Sequence, residues 1–341
     1  MLDMFLCKAS RHCQVATRLL RSFSTNVAPA TRVNVHEVAP RDGLQNEKKV
    51  LSTAAKLDLV QHLIAAKPQS IEVTSFVRAD LMPPLADADE LCKQLWQHEW
   101  AEEARKAGMQ FAGLVLNQRG FERFARAQLD TASVIISCTE SHSKANNNKG
   151  FDEQLELTCA MIRTGKAEGY TMRGYASVAF GCPFEGETDP LRVQAAIHAM
   201  ADAGADVILL GDTIGVGYPH QVRSFADAAL RAGLPVTKLG LHMHDTYGRG
   251  SACVAEGLAM GMEHMDAAVG GCGGCPFAPG AAGNLATEDL VRVLNAAGVT
   301  HSIDSEELHV ANQNLEASLE RKLKVSSGSQ SEEVSAVGIC V

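Results

Sequence analysis

"RVNVHEVAPRDGLQ", residues 32–45, is a β-rich alternating run that ends in proline, arginine, aspartate and glycine. The turn after a first strand separates two α/β folds. An open dinucleotide-binding sheet places Gly-x-Gly-x-x-Gly at that turn, where glycines let a pyrophosphate approach a helix N-terminus. Here the pair Arg41–Asp42 stands at the turn instead. Charged side chains at the C-terminal end of a first strand suit a closed barrel, whose chemistry sits on that face.

Outward from this stretch, the same kind of run recurs. "SIEVTSF" (70–76), "QFAGLVLN" (110–117), "ASVIISC" (132–138) and "MRGYASVAF" (172–180) come first. "DVILLGDT" (206–213), "KLGLHMHD" (238–245) and "HMDAAVGG" (264–271) complete eight. Helix-length stretches with apolar residues at helical spacing lie between them, such as "TAAKLDLVQHLIAA" (53–66) and "DPLRVQAAIHAMADAG" (189–204). Eight such units over about 250 residues predict a (β/α)8 TIM barrel with a Gly-rich loop after strand eight. A doubly wound open sheet is the alternative. No Pro-, Gly- or Ser-rich linker divides the core, so one barrel domain is expected over residues 31–325.

The composition excludes some functions. No apolar run is long enough to cross a bilayer. A net charge of -9 argues against nucleic acid as a partner. The N-terminus departs from this balance: residues 1–32 hold Lys8, Arg11, Arg18, Arg21 and Arg32 against Asp3 alone. With Leu2, Phe5, Leu6, Val15, Leu19 and Leu20 interspersed, residues 1–30 read as a mitochondrial transit peptide. That places the mature chain in the matrix. The polar stretch 326–341 reads as a frayed tail. Ten cysteines are scattered along the chain, and in a reducing compartment most should be small buried hydrophobes.

In a barrel, catalytic groups stand at the strand ends. Read in order, these are Arg41 and Asp42, Glu72, Asn117, Ser137, Asp212, then His242 and His244. His242 and His244 are two apart on a strand, so both imidazoles face one way and form half of a metal site. Asp42 and Asn284 supply an oxygen each. Oxygen-rich coordination favours Mg2+ or Mn2+. Arg41 suits a carboxylate or a developing enolate oxygen. Glu72 and Asp212 are carboxylates in apolar strands, which must be paired or functional. The stretch "GGCGGCPFAPGAAG" (270–283) admits three readings from its spacing: a redox pair of Cys272 and Cys275, a zinc knuckle, or a loop carrying one working thiol.

The segments "EVAPRDGLQNE", "IEVTSFV", "GCPFEG", "LGDTIGVG", "HMHDTYG" and "GGCPFAPGAAGNLATEDLV" together resemble, in the same order, the hydroxymethylglutaryl-CoA lyase family, over roughly residues 33 to 325. The resemblance implies a metal-dependent barrel, usually dimeric. It would cleave 3-hydroxy-3-methylglutaryl-CoA to acetyl-CoA and acetoacetate, in leucine breakdown and ketone-body formation. Carried over by motif, it implies Asp42, His242, His244 and Asn284 as metal ligands. Arg41 would stabilise the enolate, Cys275 would be the acid/base thiol, and Glu72 and Asp212 would support the site. Two departures are Cys272, where a non-cysteine is usual, and Ala145, where a second lysine is common. Rival readings are a condensing enzyme of the same barrel type and a non-catalytic metal or redox sensor.

Overall fold

The computed structural model describes residues 27–275 and 278–325. Most of the expected presequence, residues 1–26, and the tail 326–341 lie outside the described residues.

Eight parallel strands close on themselves: β1 Asn34–Glu37, β2 Ser70–Ser75, β3 Gln110–Val115, β4 Thr131–Ser137, β5 Thr171–Ser177, β6 Val207–Asp212, β7 Leu239–Met243 and β8 His264–Ala267. The seam is β8 against β1, with Asn34 opposite His264 and Glu37 opposite Ala267. Closure removes both sheet edges. The open-sheet alternative is thereby excluded.

The crossover helices begin and end where their residues dictate. Ser52 accepts a hydrogen bond from the Ala55 amide and starts helix Thr53–Ala65. Asp189 accepts from the Leu191 amide ahead of Pro190 and starts helix Pro190–Asp202. A short polar side chain satisfies an orphan amide there, and proline has no N–H to lose in the first turn. The second helix stops at Ala203, and Gly204 turns the chain away at φ +99°. One apolar layer lies between the strands and these helices, with Leu63, Ile71, Phe111, Phe124, Ile162 and Leu294 all wholly buried. Burying each such side chain contributes about 1.5–3 kcal/mol.

The inside of the barrel is different. Interior layers of such barrels are usually branched aliphatics. Here the inward positions of β5 carry Arg173 and Tyr175, both bonded across the barrel to Asp266 of β8. His36 of β1 meets Ser70 of β2 at 2.6 Å. Gly240 on β7 fits against this packing only without a side chain, since a Cβ would lie 2.4 Å from the His264 carbonyl oxygen. The polar interior runs upward into the C-terminal mouth, where the candidate site begins.

One expectation changes. The Gly-rich stretch is not only a loop: β9 Gly274–Cys275 pairs antiparallel with β10 Ala278–Ala282. Strand eight also ends at Ala267, before a short helical turn Val269–Gly271. Gly270, Gly271 and Gly273 there have φ of +65°, +66° and +121°, which residues with a Cβ rarely adopt.

Candidate active site

The turn after β1 does two jobs. Residues Ala39–Gly43 form a single π-helical turn, a geometry often found at functional sites. The amides of Arg41, Asp42 and Gly43 all point at the Val38 carbonyl oxygen. Arg41 and Asp42 are thereby both turned into the mouth, where each is buried. The Arg41 guanidinium donates through Nε to Glu72 on β2 and through Nη1 to Asp42. Burial opposes its charge, but Glu72 and then Asp42 more than offset this and raise its pKa above the usual arginine range.

On the far side, β7 carries His242, and His244 follows directly after the strand, bridged to Asn284. Their Nε2 atoms lie 3.9 and 3.8 Å from the same oxygen of Asp42. Ligand atoms of Asp42, His242 and His244 fall within 4.8 Å of one another, and all three residues are buried. Burial raises the cost of the Asp42 charge. Arg41, then the His244 hydrogen bond and the His242 charge, nevertheless hold its carboxyl well below the usual carboxylate range. Asn284 joins them from the segment after β10, donating from Nδ2 to Asp42 Oδ2 at 2.8 Å and to the Cys272 carbonyl oxygen at 3.1 Å. The structure therefore brings together four residues from three separate segments of the chain. Two imidazoles, an anionic carboxylate and an amide in one buried pocket fit a divalent cation.

The other predicted residues separate by role. Glu72 is wholly buried and holds Arg41 through Oε2, while Oε1 has no hydrogen-bond partner among the described residues. Asp212 ends β6, but both its oxygens are occupied: Oδ1 accepts from the Val216 amide and Oδ2 from the Gly217 amide. Burial raises its pKa against those bonds and the nearby His244. Its visible work is to shape the β6 loop. Asn117 caps helix Gln118–Arg126 by accepting from the Gly120 amide. Ser137 meets Nδ1 of His142 at 2.8 Å. Cys275 lies in β9, and its side chain is outside the described part of the structure. Cys272 is wholly buried. Burial, and then Glu47, push its thiol pKa far up, so it remains protonated. The six cysteines whose side chains are described, 92, 138, 159, 182, 253 and 272, are all free and buried.

A cavity of about 400 Å³ opens over these groups. One wall is apolar, with Val77, Leu81, Met82, Leu114 and Leu116; the other carries His142, Asn146, Tyr175, Ser177 and Thr213. The apolar loop after β2 is pinned from below. Lys56, buried in helix Thr53–Ala65, donates to Pro84 O at 2.6 Å and pairs with Asp87. Of the stretch "ESHSKANN" the sequence singles out only Ala145, and the stretch carries no apolar periodicity, yet it forms helix Glu140–Asn147.

The base of the Gly-rich segment hangs on two carboxylates. Glu37 Oε1 accepts from the Ala39 and Val269 amides at 2.9 and 3.0 Å, and Oε2 accepts from Thr287 Oγ1 at 2.7 Å. Glu288 accepts from the Gly270 amide and from Asn312. The chain after helix Ser305–Leu319 crosses the same place, where Val325 N donates to Gly270 O at 3.3 Å and Lys324 pairs with Asp245. Burial raises Glu37 to about 7 despite its three donors. The unfolded chain ionises first as pH rises from about 4.5, so stability is lost through the window up to about 7. The shift corresponds to about 3 kcal/mol at most. Glu37→Gln keeps the acceptor for the two amides and stays neutral. Its stability relative to the parent should therefore rise between pH 4.5 and 8 in denaturant melts. Parallel pH profiles for the two proteins would remove this role from Glu37.

Comparisons with known proteins give the family and the fold. A family model described as HMGL-like matches residues 32–315. The mitochondrial hydroxymethylglutaryl-CoA lyase of Bos taurus is 36% identical over 296 residues, 86% of this chain and 88% of the relative. The hydroxymethylglutaryl-CoA lyase of Pseudomonas mevalonii is 38% identical over 274 residues, 80% of this chain and 88% of the relative. Among solved structures, the HMG-CoA lyase of Bacillus subtilis superposes with a TM-score of 0.81 at 34% identity, covering 87% of this chain and 97% of its own. Pyruvate carboxylase carboxyl transferase domains from Rhizobium etli, at 17% identity and a TM-score of 0.62, share the fold.

Proposed function

This chain belongs to the HMGL-like family, that of the hydroxymethylglutaryl-CoA lyases, and from that premise we propose how its own residues carry out the family reaction. It cleaves 3-hydroxy-3-methylglutaryl-CoA to acetyl-CoA and acetoacetate. The observation that carries the mechanism is the convergence of Arg41, Asp42, His242, His244 and Asn284 at one barrel mouth.

Asp42, His242, His244 and Asn284 would hold the metal. Asn284 now turns its amide nitrogen toward Asp42; a half-turn of the amide group exchanges nitrogen for oxygen and completes a ligand set of two nitrogens and two oxygens. A bound Mg2+ or Mn2+ would supply positive charge to the substrate hydroxyl and carboxylate oxygens. The 3-hydroxyl loses its proton to a base of the site; Glu72, whose Oε1 has no hydrogen-bond partner among the described residues, is the carboxylate for that step, Asp42 being kept as a ligand. The C2–C3 bond then breaks: C3 becomes the ketone of acetoacetate, and the bonding pair moves onto the thioester as an enolate. Arg41, fixed by Glu72 and Asp42, meets the charge on the enolate oxygen. The Cys275 thiol gives the enolate carbon its proton. Asp212 supports the site through the β6 loop. The positive-φ glycines at the base of the Cys275 segment suit a hinge that closes over the substrate.

The direct test is purified protein with the acyl-CoA, Mg2+ or Mn2+, and an assay for acetoacetate; no acetoacetate with either metal would refute the reading. His242→Ala should lower Mn2+ affinity by at least the 10–100-fold typical of weaker, supporting partners, with turnover lost in parallel. Isothermal titration measures the first. His62, His98 and His220, which lie on helices or helix caps, should tolerate alanine. Residues 1–30 would direct the chain to the mitochondrial matrix, on the strength of Arg11, Arg18 and Arg21 without acidic neighbours. The mature enzyme is proposed to be a homodimer.

A further inference from the structure

We infer that Asp266 is a positioning residue for the metal site, fixing which ring nitrogen of His242 faces the cation. The inference rests on the assignment of His242 as a ligand.

Asp266 and His242 are directly opposite each other in the β7–β8 register. Both point into the barrel, and His242 Nδ1 lies 3.2 Å from Asp266 Oδ2. The ring's other nitrogen, Nε2, faces Asp42. A carboxylate accepts and does not donate, so Nδ1 carries the proton and Nε2 keeps its lone pair for the metal. Carboxylate–histidine pairs behind metal ligands act in this way elsewhere.

The rest of the barrel interior holds Asp266 in that pose. Its side chain is 1% exposed. Arg173 Nη2 donates to Oδ1 at 2.6 Å, and Tyr175 donates its hydroxyl proton to Oδ2 at 2.8 Å. Two donors from β5 thus fix the carboxylate from across the barrel, and Oδ2 is shared between the Tyr175 hydroxyl and the imidazole. The Tyr175 ring also stands edge-on to His242, with centroids 5.9 Å apart and an interplanar angle of 81°. A buried anion is costly without partners, and a purely structural one would be satisfied by Arg173 and Tyr175. The third contact, to a residue of the metal cluster, points to a role beyond packing.

Asp266→Asn tests this with little change of shape. Arg173 only donates, so the amide oxygen takes the Oδ1 position and Nδ2 takes the Oδ2 position, where it donates to His242 Nδ1. That drives the ring proton to Nε2, where it blocks the lone pair. Mn2+ titrated into the metal-free variant should bind about 10–100-fold more weakly than to the parent. If the variant melts like the parent and binds Mn2+ within about threefold of it, the inference is wrong. A parent protein that binds no Mn2+ would instead sink the metal-site reading beneath it. Should Asp266→Asn fail to fold, the parent alone decides: 15N-histidine long-range correlation spectra at about pH 8, with His242 assigned by its loss in His242→Ala, report the tautomer directly. A proton on Nδ1 upholds the inference, and a proton on Nε2 overturns it.

Discussion

Arg41→Lys is expected to lower kcat on the order of 100-fold or more while leaving KM within a few-fold. The expectation comes from what the guanidinium is tied to. Nε goes to Glu72 and Nη1 to Asp42, so two arms of the planar fork are fixed and the remaining donors project in a set direction. Lysine keeps the charge but offers one tetrahedral nitrogen on a flexible stem. It can satisfy one carboxylate, or share itself between two, but cannot also present a preset donor to an oxygen that becomes charged only as the bond breaks. Donors that act only on the developing charge change kcat, because the ground-state complex does not use them. The buried carboxylates still have a cation, so the melting temperature should move little. Steady-state kinetics with a melt as control settles it. A defect confined to KM would make Arg41 a substrate-binding group.

The fold is legible because it depends on periodicity. Eight β-rich runs spaced by helical stretches leave few architectures, and Arg41–Asp42 at the first turn removes the dinucleotide-binding one. The candidate metal set is partly legible for the same reason: His242 and His244 share a face by alternation alone. Their convergence with Asp42 and Asn284 depends on closing β8 against β1 and on the turn at Gly270, Gly271 and Gly273, which no local pattern states. Asp266 is harder to find, because a search along strand ends passes over the strand interior. It sits in "HMDAAVGG" as a carboxylate in an apolar run, the same signal that picks out Glu72 and Asp212, and it lies inward by parity. Asp212 shows a different ambiguity. Its position at a strand end is right, yet its two oxygens are occupied by the amides of its own loop. Composition cannot separate a carboxylate that serves the backbone from one that serves a substrate. The β9–β10 pairing is invisible in the sequence because glycine and alanine are weak strand formers, so backbone pairing there has no side-chain signature.

Cys275→Ser should lower turnover by about 10²–10⁴-fold, the range of a lost general acid or base, whereas Cys272→Ser should keep most of the activity. The two sulfurs look equivalent in "GGCGGC", and the fold makes them different. Cys272 is wholly buried beneath the segment, with Sγ 3.8 Å from Glu47. Burial, reinforced by that carboxylate, keeps it a neutral thiol, which is a poor nucleophile and a poor proton carrier near pH 7. A serine hydroxyl there can still donate to Glu47. Its backbone already has a task, since its carbonyl accepts from Asn284, and the substitution leaves that bond in place. Cys275 lies beyond the positive-φ glycines, on the same segment as Asn284, so closure over a substrate would bring it in with a metal-ligand side chain. Serine in its place has a proton too tightly held to exchange at neutral pH. Joining the two sulfurs by oxidation requires an oxidant to reach the wholly buried Cys272 thiol. Oxidative inactivation reversed by a thiol reductant should therefore be slow, and slower still with substrate bound. Both single variants, assayed under reducing conditions, discriminate the cases. Equal severe losses would restore the paired reading of the two cysteines, and an active Cys275→Ser enzyme would require another proton donor for the enolate carbon.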